Sequence, residues 1–331
     1  MKRALILFLL IIVAGSGCAA QETPAKRSAT GFYFDTVVTI SAYIDSDAPL
    51  KEALAACEGY EKLLSKTIPG SDVWNINHAQ GQPIQVSEHT LNILSMSRAI
   101  SEASDGAFDI TVAKAVALWD FTGGSKVVPD AESVKRAAAL IDYGKVVVRG
   151  DRVSVPAGME IDLGAVAKGY ICDQISNLLK DLGVNDALLN FGGNVIAMGV
   201  KPDGGAWTVG IQDPAQPTGA YLLAVRAKGH QAVVTSGIYE RGFDVDGVRY
   251  HHLLDPATGW PAQNELAAVT IFAEQSGRAD ALSTATFVLG LKKGMEFIQN
   301  TPDAEALFIT RSGEILATEG ARELLIENHM R

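Results

Sequence analysis

The stretch Ile161-Asp-Leu-Gly-Ala-Val-Ala-Lys-Gly-Tyr170 places a carboxylate, a glycine turn and a lysine where a predicted strand meets a predicted helix. We expect a strand over 159–162 that directs Asp162 outward, followed by a long helix over 165–182. The first turn of such a helix has unpaired N–H groups that favour an anion, and Lys168 adds a positive charge. The segment therefore predicts a site for a phosphate-bearing ligand, although an ordinary connection with a solvent-exposed lysine fits the same residues.

The N-terminus has the pattern of an export signal, because a short positive region precedes an apolar run that is too brief to span a bilayer comfortably. Cys18 ends the sequence Gly15-Ser-Gly-Cys18, which resembles a lipoprotein-processing site. We therefore expect residues 1–17 to be a signal peptide and residues 18–30 to be a lipidated N-terminus and tether. Cleavage of an ordinary secretory signal near Ala19-Ala20 is the alternative.

Length and charge restrict the class of protein. Residues 31–331 suffice for one large domain with a substantial core. We expect an indistinct boundary between two subdomains near 142–149, where turn residues are frequent. The net charge of −10 gives no indication of a nucleic-acid-binding surface, which would need clustered Lys and Arg. Cys57 and Cys172 lie beside apolar residues in helical patterns, which favours core packing over a disulfide.

Hydrophobic periodicity divides the rest of the chain into helices and strands. In the first half it predicts a strand over 32–44, helices over 49–65, 87–103, 111–119 and 130–140, and a hairpin over 145–155. Residues 187–273 are mostly short strand candidates separated by Gly-Gly, Asp-Pro and Asp-Gly turns. Helical patterns return over 278–289 and 293–299, before a hairpin about Ser312-Gly313 and a last helix from Ala321. This order predicts a mixed α/β (α+β) fold with a central, largely antiparallel sheet and flanking helices.

A possible metal-binding site lies in Ala279-Asp-Ala-Leu-Ser-Thr-Ala285. On a helix, Asp280 and Thr284 are four residues apart and share one face, and Ser283 is close enough to assist. A carboxylate and hydroxyls form the oxygen-only environment that Mg²⁺ prefers. The alternative is an aspartate favoured by the helix dipole and a threonine bonded to its own helix.

Two adjacent histidines form a candidate base in Tyr250-His-His-Leu-Leu-Asp-Pro-Ala-Thr-Gly259. Alternation along a strand directs His251 and His252 to opposite faces, so only one can enter a given cleft. We choose His252 as the candidate base, although both rings could simply be solvated. The spacing does not fit a zinc protease, and the chain has no Rossmann, P-loop or nucleophile-elbow motif.

Six short motifs occur in order along the chain. They are Ser-Asp-Gly-Ala-Phe-Asp-Ile-Thr (104–111), Ile-Asp-Leu-Gly-Ala-Val-Ala-Lys-Gly-Tyr (161–170), Asn-Phe-Gly-Gly-Asn (190–194), Thr-Ser-Gly-Ile-Tyr-Glu-Arg (235–241), His-His-Leu-Leu-Asp-Pro-Ala-Thr-Gly (251–259) and Ala-Asp-Ala-Leu-Ser-Thr-Ala (279–285). Together they resemble the ApbE-like FAD:protein FMN transferases of the lipoprotein type, from about Gly31 to the C-terminal hairpin.

The resemblance implies two closely packed subdomains with an FAD site between them. It also implies Mg²⁺-dependent transfer of the FMN half of FAD to a Thr or Ser hydroxyl of an acceptor protein, through a phosphoester bond, with release of AMP. The acceptors of such enzymes are subunits of redox-driven ion pumps and related exported flavoproteins. With the lipid anchor, this predicts a location on the periplasmic side of a bacterial membrane.

The resemblance also assigns roles to residues. The residues that bind FAD would be Phe34, Thr67, Ala107, Phe108, Asp109, Asp162, Lys168, His252 and Leu254. The metal ligands would be Ala165, through its carbonyl, with Asp280, Ser283 and Thr284. The catalytic residues would be His252, Lys168 and Asp280.

Two positions depart from the family pattern. Phe34-Asp-Thr36 replaces the usual Met-Gly-Thr, and Thr67 stands where many members have an aromatic residue. Losing an aromatic residue there could weaken ring stacking or admit water to the phosphorus. Two alternative functions follow: a Mg²⁺-dependent FAD pyrophosphatase that forms FMN and AMP, and a non-catalytic, lipid-anchored FAD-binding protein.

Overall fold

A computed structural model describes residues 24–121, 123–216 and 219–326. The predicted signal peptide and the lipidation site at Cys18 lie outside the described residues and stay predictions. Within the described ranges, no helix combines the length and apolarity needed to cross a membrane. Cys57 and Cys172 are both buried and unpaired, which confirms the preference for core packing.

Helices and strands alternate along the described chain. The helices are α1 (Ala48–Leu64), α2 (Asp72–His78), α3 (Glu88–Ala103), α4 (Ala113–Trp119), α5 (Ala131–Ala138), α6 (Ala167–Asp181), α7 (Ser276–Gln299) and α8 (Glu319–Leu324). The strands are β1 (Lys26–Tyr33), β2 (Thr36–Tyr43), β3 (Ile84–Gln85), β4 (Val147–Arg149), β5 (Arg152–Ser154), β6 (Ala187–Phe191), β7 (Asn194–Gly199), β8 (Trp207–Gln212), β9 (Tyr221–Ala227), β10 (Gly229–Gly237), β11 (Gly242–Val245), β12 (Val248–His251), β13 (Leu266–Ala273), β14 (Ala304–Thr310) and β15 (Ile315–Ala317).

The centre of the fold is an eight-stranded sheet in the order β1-β2-β6-β7-β10-β13-β14-β15. Each neighbouring pair is antiparallel, which confirms the predicted fold class. Alternation on β7 directs Ile196 and Met198 into the core shared with α1, α6 and α7, and Val195 and Ala197 into a core covered by β8 and β9. The sheet therefore has an apolar layer on each face.

The N-terminal strand prediction was wrong in one respect. Residues 32–44 form not one strand but the second half of a hairpin, because the chain reverses at Phe34 and Asp35, both with positive φ (55° and 56°). Such a conformation is rare for phenylalanine, so no turn signal marks it. The first half of the hairpin is β1, which begins at Lys26, within the range that the sequence predicted as a tether.

The strand predicted over 159–162 is absent from the sheets. The backbone of Ile161 instead bonds to the side chain of Asn77, whose Oδ1 accepts from its N–H at 2.8 Å and whose Nδ2 donates to its carbonyl at 2.9 Å. Asn77 lies on α2, a helix that the sequence did not predict. α6 begins at Ala167, two residues later than expected, and the two helices predicted over 278–299 are one helix, α7, kinked at Gly290. The subdivision near 142–149 stays a prediction.

Helices α6 and α7 cross at two glycines. A Cβ atom added at Gly169 would lie 2.3 Å from the Ser276 carbonyl oxygen, and one added at Gly277 would lie 3.0 Å from the Tyr170 nitrogen. Asp173 of α6 caps the start of α7, since its two carboxylate oxygens accept from the N–H groups of Ser276 and Gly277, both at 2.8 Å. The two helices are thus held backbone against backbone.

We expect Gly169→Ala to destabilise the protein by about 2–3 kcal/mol, because the added methyl group overlaps backbone that cannot rotate away. Gly59→Ala is the matched control, since Gly59 lies in α1 with no atom within 4 Å of an added Cβ. That variant should gain up to about 1 kcal/mol from helix propensity. Urea denaturation measures both changes, and equal midpoints would show that α6 and α7 can separate without cost.

Candidate active site

A cleft of about 730 Å³ opens where the starts of α6 and α7 meet one end of the central sheet. Its size lies within the range of small-molecule sites. All the predicted site residues except Ser283 line it: Phe34, Thr67, Ala107, Phe108, Asp109, Asp162, Ala165, Lys168, His252, Leu254, Asp280 and Thr284. The fold therefore brings together groups that are up to 250 positions apart, counting from Phe34 to Thr284.

Residues with oxygen ligands line the cleft at the crossing of α6 and α7. The Asp280 side chain is 6% exposed, and its Oδ2 accepts from the Gly169 N–H at 3.0 Å. Thr284, one turn further along α7, and Ala165, just before α6, line the cleft beside it. This set fits Mg²⁺, which prefers oxygen ligands and is usually completed by substrate phosphates and water. No cluster of three or more His, Cys, Asp or Glu suited to a metal occurs among the described residues, so the protein does not supply a full set of such ligands there. We call Asp280, Thr284, Ala165 and Lys168 the corner of the cleft.

Ser283 is the predicted metal ligand that the structure places elsewhere. Its side chain is fully buried and does not line the cleft. The hydroxyl donates to the Asp280 carbonyl at 2.8 Å and lies 2.7 Å from the Ser236 hydroxyl. Its hydrogen-bonding capacity is therefore used to join α7 to β10, and the prediction of a ligand role is wrong for this arrangement.

Lys168 places a positive charge beside Asp280. Its Nζ lies 3.7 Å from Asp280 Oδ2 and donates to the Gly164 carbonyl at 3.3 Å, and its side chain is 24% exposed. The predicted attraction of an anion to free N–H groups of α6 is not confirmed, since the N–H groups of Val166 and Ala167 bond to Leu163 and that of Gly169 bonds to Asp280. Lys168 therefore supplies an attraction for a phosphate that these three bonded N–H groups do not.

Two predicted ligand-binding carboxylates also shape the cleft wall. Asp109 accepts from the N–H and hydroxyl of Thr111, each at 2.7 Å, and from the Tyr143 N–H at 2.9 Å. Burial raises the pKa of Asp109 even though these hydrogen bonds oppose the shift. Asp162 accepts from the Gly164 N–H at 2.8 Å and pairs with Lys66, with 2.5 Å between Oδ2 and Nζ. Both carboxylates already have partners and hold the loops that form the cleft.

His252 faces the cleft, as the strand alternation predicted, whereas His251 is fully buried beside Phe287. The Nδ1 atom of His252 lies 3.3 Å from the Arg241 carbonyl oxygen. A carbonyl can only accept, so Nδ1 carries the proton and Nε2 keeps a free lone pair. Loss of solvent lowers the pKa of His252 to about 3, with Arg241 and Lys168 adding repulsion, so the ring is neutral at pH 7.

A buried aromatic contact positions the histidine segment. Trp119, at the end of α4, stacks on Tyr250 of β12 with ring centroids 5.5 Å apart, and its Nε1 donates to the Gly259 carbonyl at 3.0 Å. Trp119 is fully buried, so it packs in the core rather than stacking on a ligand ring. The segment with His252 is therefore attached at both ends to α4.

The comparison with known proteins agrees with this arrangement. A model of the ApbE family matches residues 34–308. This chain belongs to the ApbE family. It is 35% identical over 289 residues to a Klebsiella pneumoniae protein named FAD:protein FMN transferase, covering 86% of this chain and 89% of the relative. A Treponema pallidum protein of the same name is 34% identical over 335 residues, covering 94% and 92%.

Solved structures of the ApbE family have the same fold. The crystal structure of the ApbE protein from Thermotoga maritima superposes with a TM-score of 0.83 at 33% identity, covering 91% of this chain and 99% of that chain. The apo form of the flavinyl transferase ApbE from Pseudomonas stutzeri gives 0.79 at 32% identity, covering 91% and 97%.

The departures from the ApbE pattern lie on the cleft wall. Phe34, at the tip of the β1–β2 hairpin, stacks on Phe191 with centroids 6.4 Å apart, and its N–H donates to Glu61 at 2.7 Å. An aromatic side chain thus occupies this edge in place of the usual methionine. Thr67 is exposed, and its hydroxyl lies 3.0 Å from that of Ser65. That side of the cleft is polar rather than aromatic.

Several cleft residues were missed by the sequence analysis. They are Lys66, Asn194, Glu240 and Arg241, among others. Asn194 and the Glu240-Arg241 pair lie within motifs that carried the family resemblance, so the signal was present without a role attached. Lys66 precedes Thr67, which was noted as a departure, and only the folded chain shows its pairing with Asp162.

The buried His251 should make stability depend on pH. Burial, with Arg311 as a lesser cause, lowers its pKa to about 4. The unfolded chain takes up a proton on this histidine near pH 6.5, whereas the folded chain does so near pH 4, so stability falls as the pH decreases through that interval.

We expect His251→Leu to remove about 2 kcal/mol of the stability difference between pH 7 and pH 5, measured by urea denaturation at each pH. The unaltered protein, measured at the same two pH values, is the reference. An unchanged pH dependence in the His251 variant would mean that this ring is protonated equally in the folded and unfolded states.

Proposed function

We propose that this protein transfers FMN from FAD to a Thr or Ser hydroxyl of an acceptor protein, through a phosphoester bond, with release of AMP and dependence on Mg²⁺. The observation that carries the proposal is the meeting of Asp280, Thr284, the Ala165 carbonyl and Lys168 in one cleft, with a neutral histidine facing the same space. The names of the relatives, FAD:protein FMN transferase, support the same reaction.

The residues of the corner bind and orient the diphosphate of FAD. Lys168 attracts the anion, and Asp280, Thr284 and Ala165 would hold Mg²⁺ together with phosphate oxygens and water. When bound, the metal neutralises charge on the diphosphate. The Gly169 N–H orients the Asp280 carboxylate before substrate binds.

The transfer requires one proton acceptor. The acceptor hydroxyl oxygen attacks the phosphorus of the FMN half, a new phosphoester bond forms, and the bond to the bridging oxygen of AMP breaks. The hydroxyl proton passes to Nε2 of His252, whose Nδ1–H is held by the Arg241 carbonyl. The AMP phosphate leaves as an anion beside Lys168, so little assistance from a general acid is needed.

Hydrolysis of FAD is the second candidate function. The polar wall at Ser65, Lys66 and Thr67, where an aromatic residue is common in the family, favours entry of water. Water in place of the acceptor hydroxyl would give FMN and AMP. A non-catalytic role in FAD binding is the third possibility that the assay below distinguishes.

We also propose an exported protein, anchored by lipid at Cys18 on the periplasmic side of a bacterial membrane, with subunits of redox-driven ion pumps or related exported flavoproteins as acceptors. The N-terminal sequence supports the anchor, and the resemblance supports the class of acceptor. Mass spectrometry of the mature N-terminus tests the anchor, since a chain beginning after Cys18 without lipid would contradict it.

Incubation of the protein with FAD, MgCl₂ and the apo form of an ion-pump acceptor subunit should give a fluorescent, covalently flavinylated acceptor and free AMP. Free FMN with an unlabelled acceptor would show the pyrophosphatase instead. Bound FAD with neither product would show a binding protein. Asp280→Asn should abolish transfer, because it removes the carboxylate charge while keeping an oxygen that can accept from Gly169.

The control for Asp280 is its neighbour on the same helix, Arg278→Ala, whose side chain bonds to the Pro302 carbonyl outside the cleft. Calorimetric titration with Mg²⁺ in the presence of FAD gives a readout besides turnover, and the asparagine variant should bind the metal at least tenfold more weakly. Normal turnover and metal binding in this variant would remove Asp280 from the site.

The base assignment predicts a particular pH profile. With the pKa of His252 lowered to about 3, the unprotonated ring that accepts a proton is present throughout the mildly acidic range, so kcat/KM should not fall between pH 7 and pH 5.5. His252→Ala should lower kcat by about 10²–10⁴. A near-normal rate in that variant would mean that the hydroxyl loses its proton to another group.

A further inference from the structure

Asn194 is a buried polar residue that has no part in the mechanism above. It begins β7, where it pairs with Phe191 of β6 and Val234 of β10. Its relative exposure is 2%, it lines the cleft, and its side-chain Nδ2 is buried without a hydrogen-bond partner among the described residues. Most buried polar atoms in proteins do have such a partner.

The surroundings of Asn194 explain why the chain itself supplies no partner. The amide Nδ2 needs an acceptor, and the preceding turn consists of Gly192 and Gly193, which have no side chains to supply one. A Cβ added at Gly192 would lie 2.1 Å from the Thr36 hydroxyl, so the turn is packed too closely for another side chain to approach.

Asn194 lies on the side of the sheet that faces the proposed phosphate and metal site. Alternation along β7 places it on the same face of the sheet as Ile196, which is the face that packs against α6 and α7. On the adjacent strand β10, Ser236 contacts Thr284 with 3.4 Å between the hydroxyl oxygens. Asn194 therefore lies on the strand next to Ser236, which contacts the proposed metal ligand Thr284. It also pairs with Phe191, on which Phe34 stacks.

We infer that Asn194 is a substrate-binding residue, whose amide N–H donates a hydrogen bond to an oxygen atom of the FAD diphosphate. This inference rests on the proposed function, because FAD is the ligand that it assumes. An unpaired buried amide lowers the stability of the free protein, and a phosphate oxygen that arrives with the substrate satisfies it. The amide therefore contributes to affinity and not to folding.

That combination separates a binding role from a structural one. Asn194→Leu, which keeps a similar volume without polar atoms, should raise the dissociation constant for FAD at least tenfold, measured by quenching of flavin fluorescence. The melting temperature of the FAD-free variant should equal or exceed that of the unaltered protein. Asn194→Ala should weaken FAD binding to a similar degree.

Asn190→Ala is the matched control. Asn190 lies in the same hairpin, four positions earlier, but it is exposed and does not line the cleft. Its replacement should leave the affinity for FAD unchanged, even if the turn becomes less stable. The comparison thus separates a damaged hairpin from a lost contact with substrate.

Two results would overturn the inference. One is an unchanged affinity for FAD in both Asn194 variants. The other is a leucine variant that melts several degrees lower without FAD, since this would show that the amide already has a partner in the free protein. Failure of the proposed function looks different, because the unaltered protein would then bind no FAD or would leave every acceptor unlabelled.

Discussion

The close contact between α6 and α7 determines the geometry of the cleft. Gly169 and Gly277 let the two backbones approach, and Asp173 links them by capping the first N–H groups of α7. Because of this contact, the Gly169 N–H reaches Asp280, and Lys168 lies beside the same carboxylate. A larger side chain at either glycine would move the charge on one helix away from the oxygen atoms on the other.

The sheet supplies the opposite side of the site. The hairpin turns at Phe34-Asp35 and Gly192-Gly193 lie at the same end of adjacent strands, so residues far apart in sequence meet there. Ser236 on β10 joins this edge to α7 through Ser283. Ser283, which was predicted as a metal ligand, is buried and instead connects α7 to the sheet.

Much of the fold could be predicted from the sequence, because long periodic segments such as α1 and α3 depend on local pattern, to which α3 adds the Ser87 cap. The predictions failed where a distant partner decides the structure. Ile161 looks like a strand residue, but the Asn77 side chain takes the hydrogen bonds that a neighbouring strand would have made. Likewise, Phe34 gives no turn signal. Family motifs identified the cleft residues, but they did not reveal the contacts that hold them, such as those from Thr111 and Tyr143 to Asp109.

The charges of the corner indicate how substrate and metal bind relative to each other. Without a ligand, the one carboxylate of the corner, Asp280, is already balanced by Lys168 at 3.7 Å and by the Gly169 N–H. A divalent cation arriving alone would therefore meet a nearby positive charge and few anionic ligands. A diphosphate brings negative charge that both the lysine and the cation can share. The arrangement thus favours binding of the metal together with the nucleotide, so that the two ligands should increase each other's affinity by the same factor.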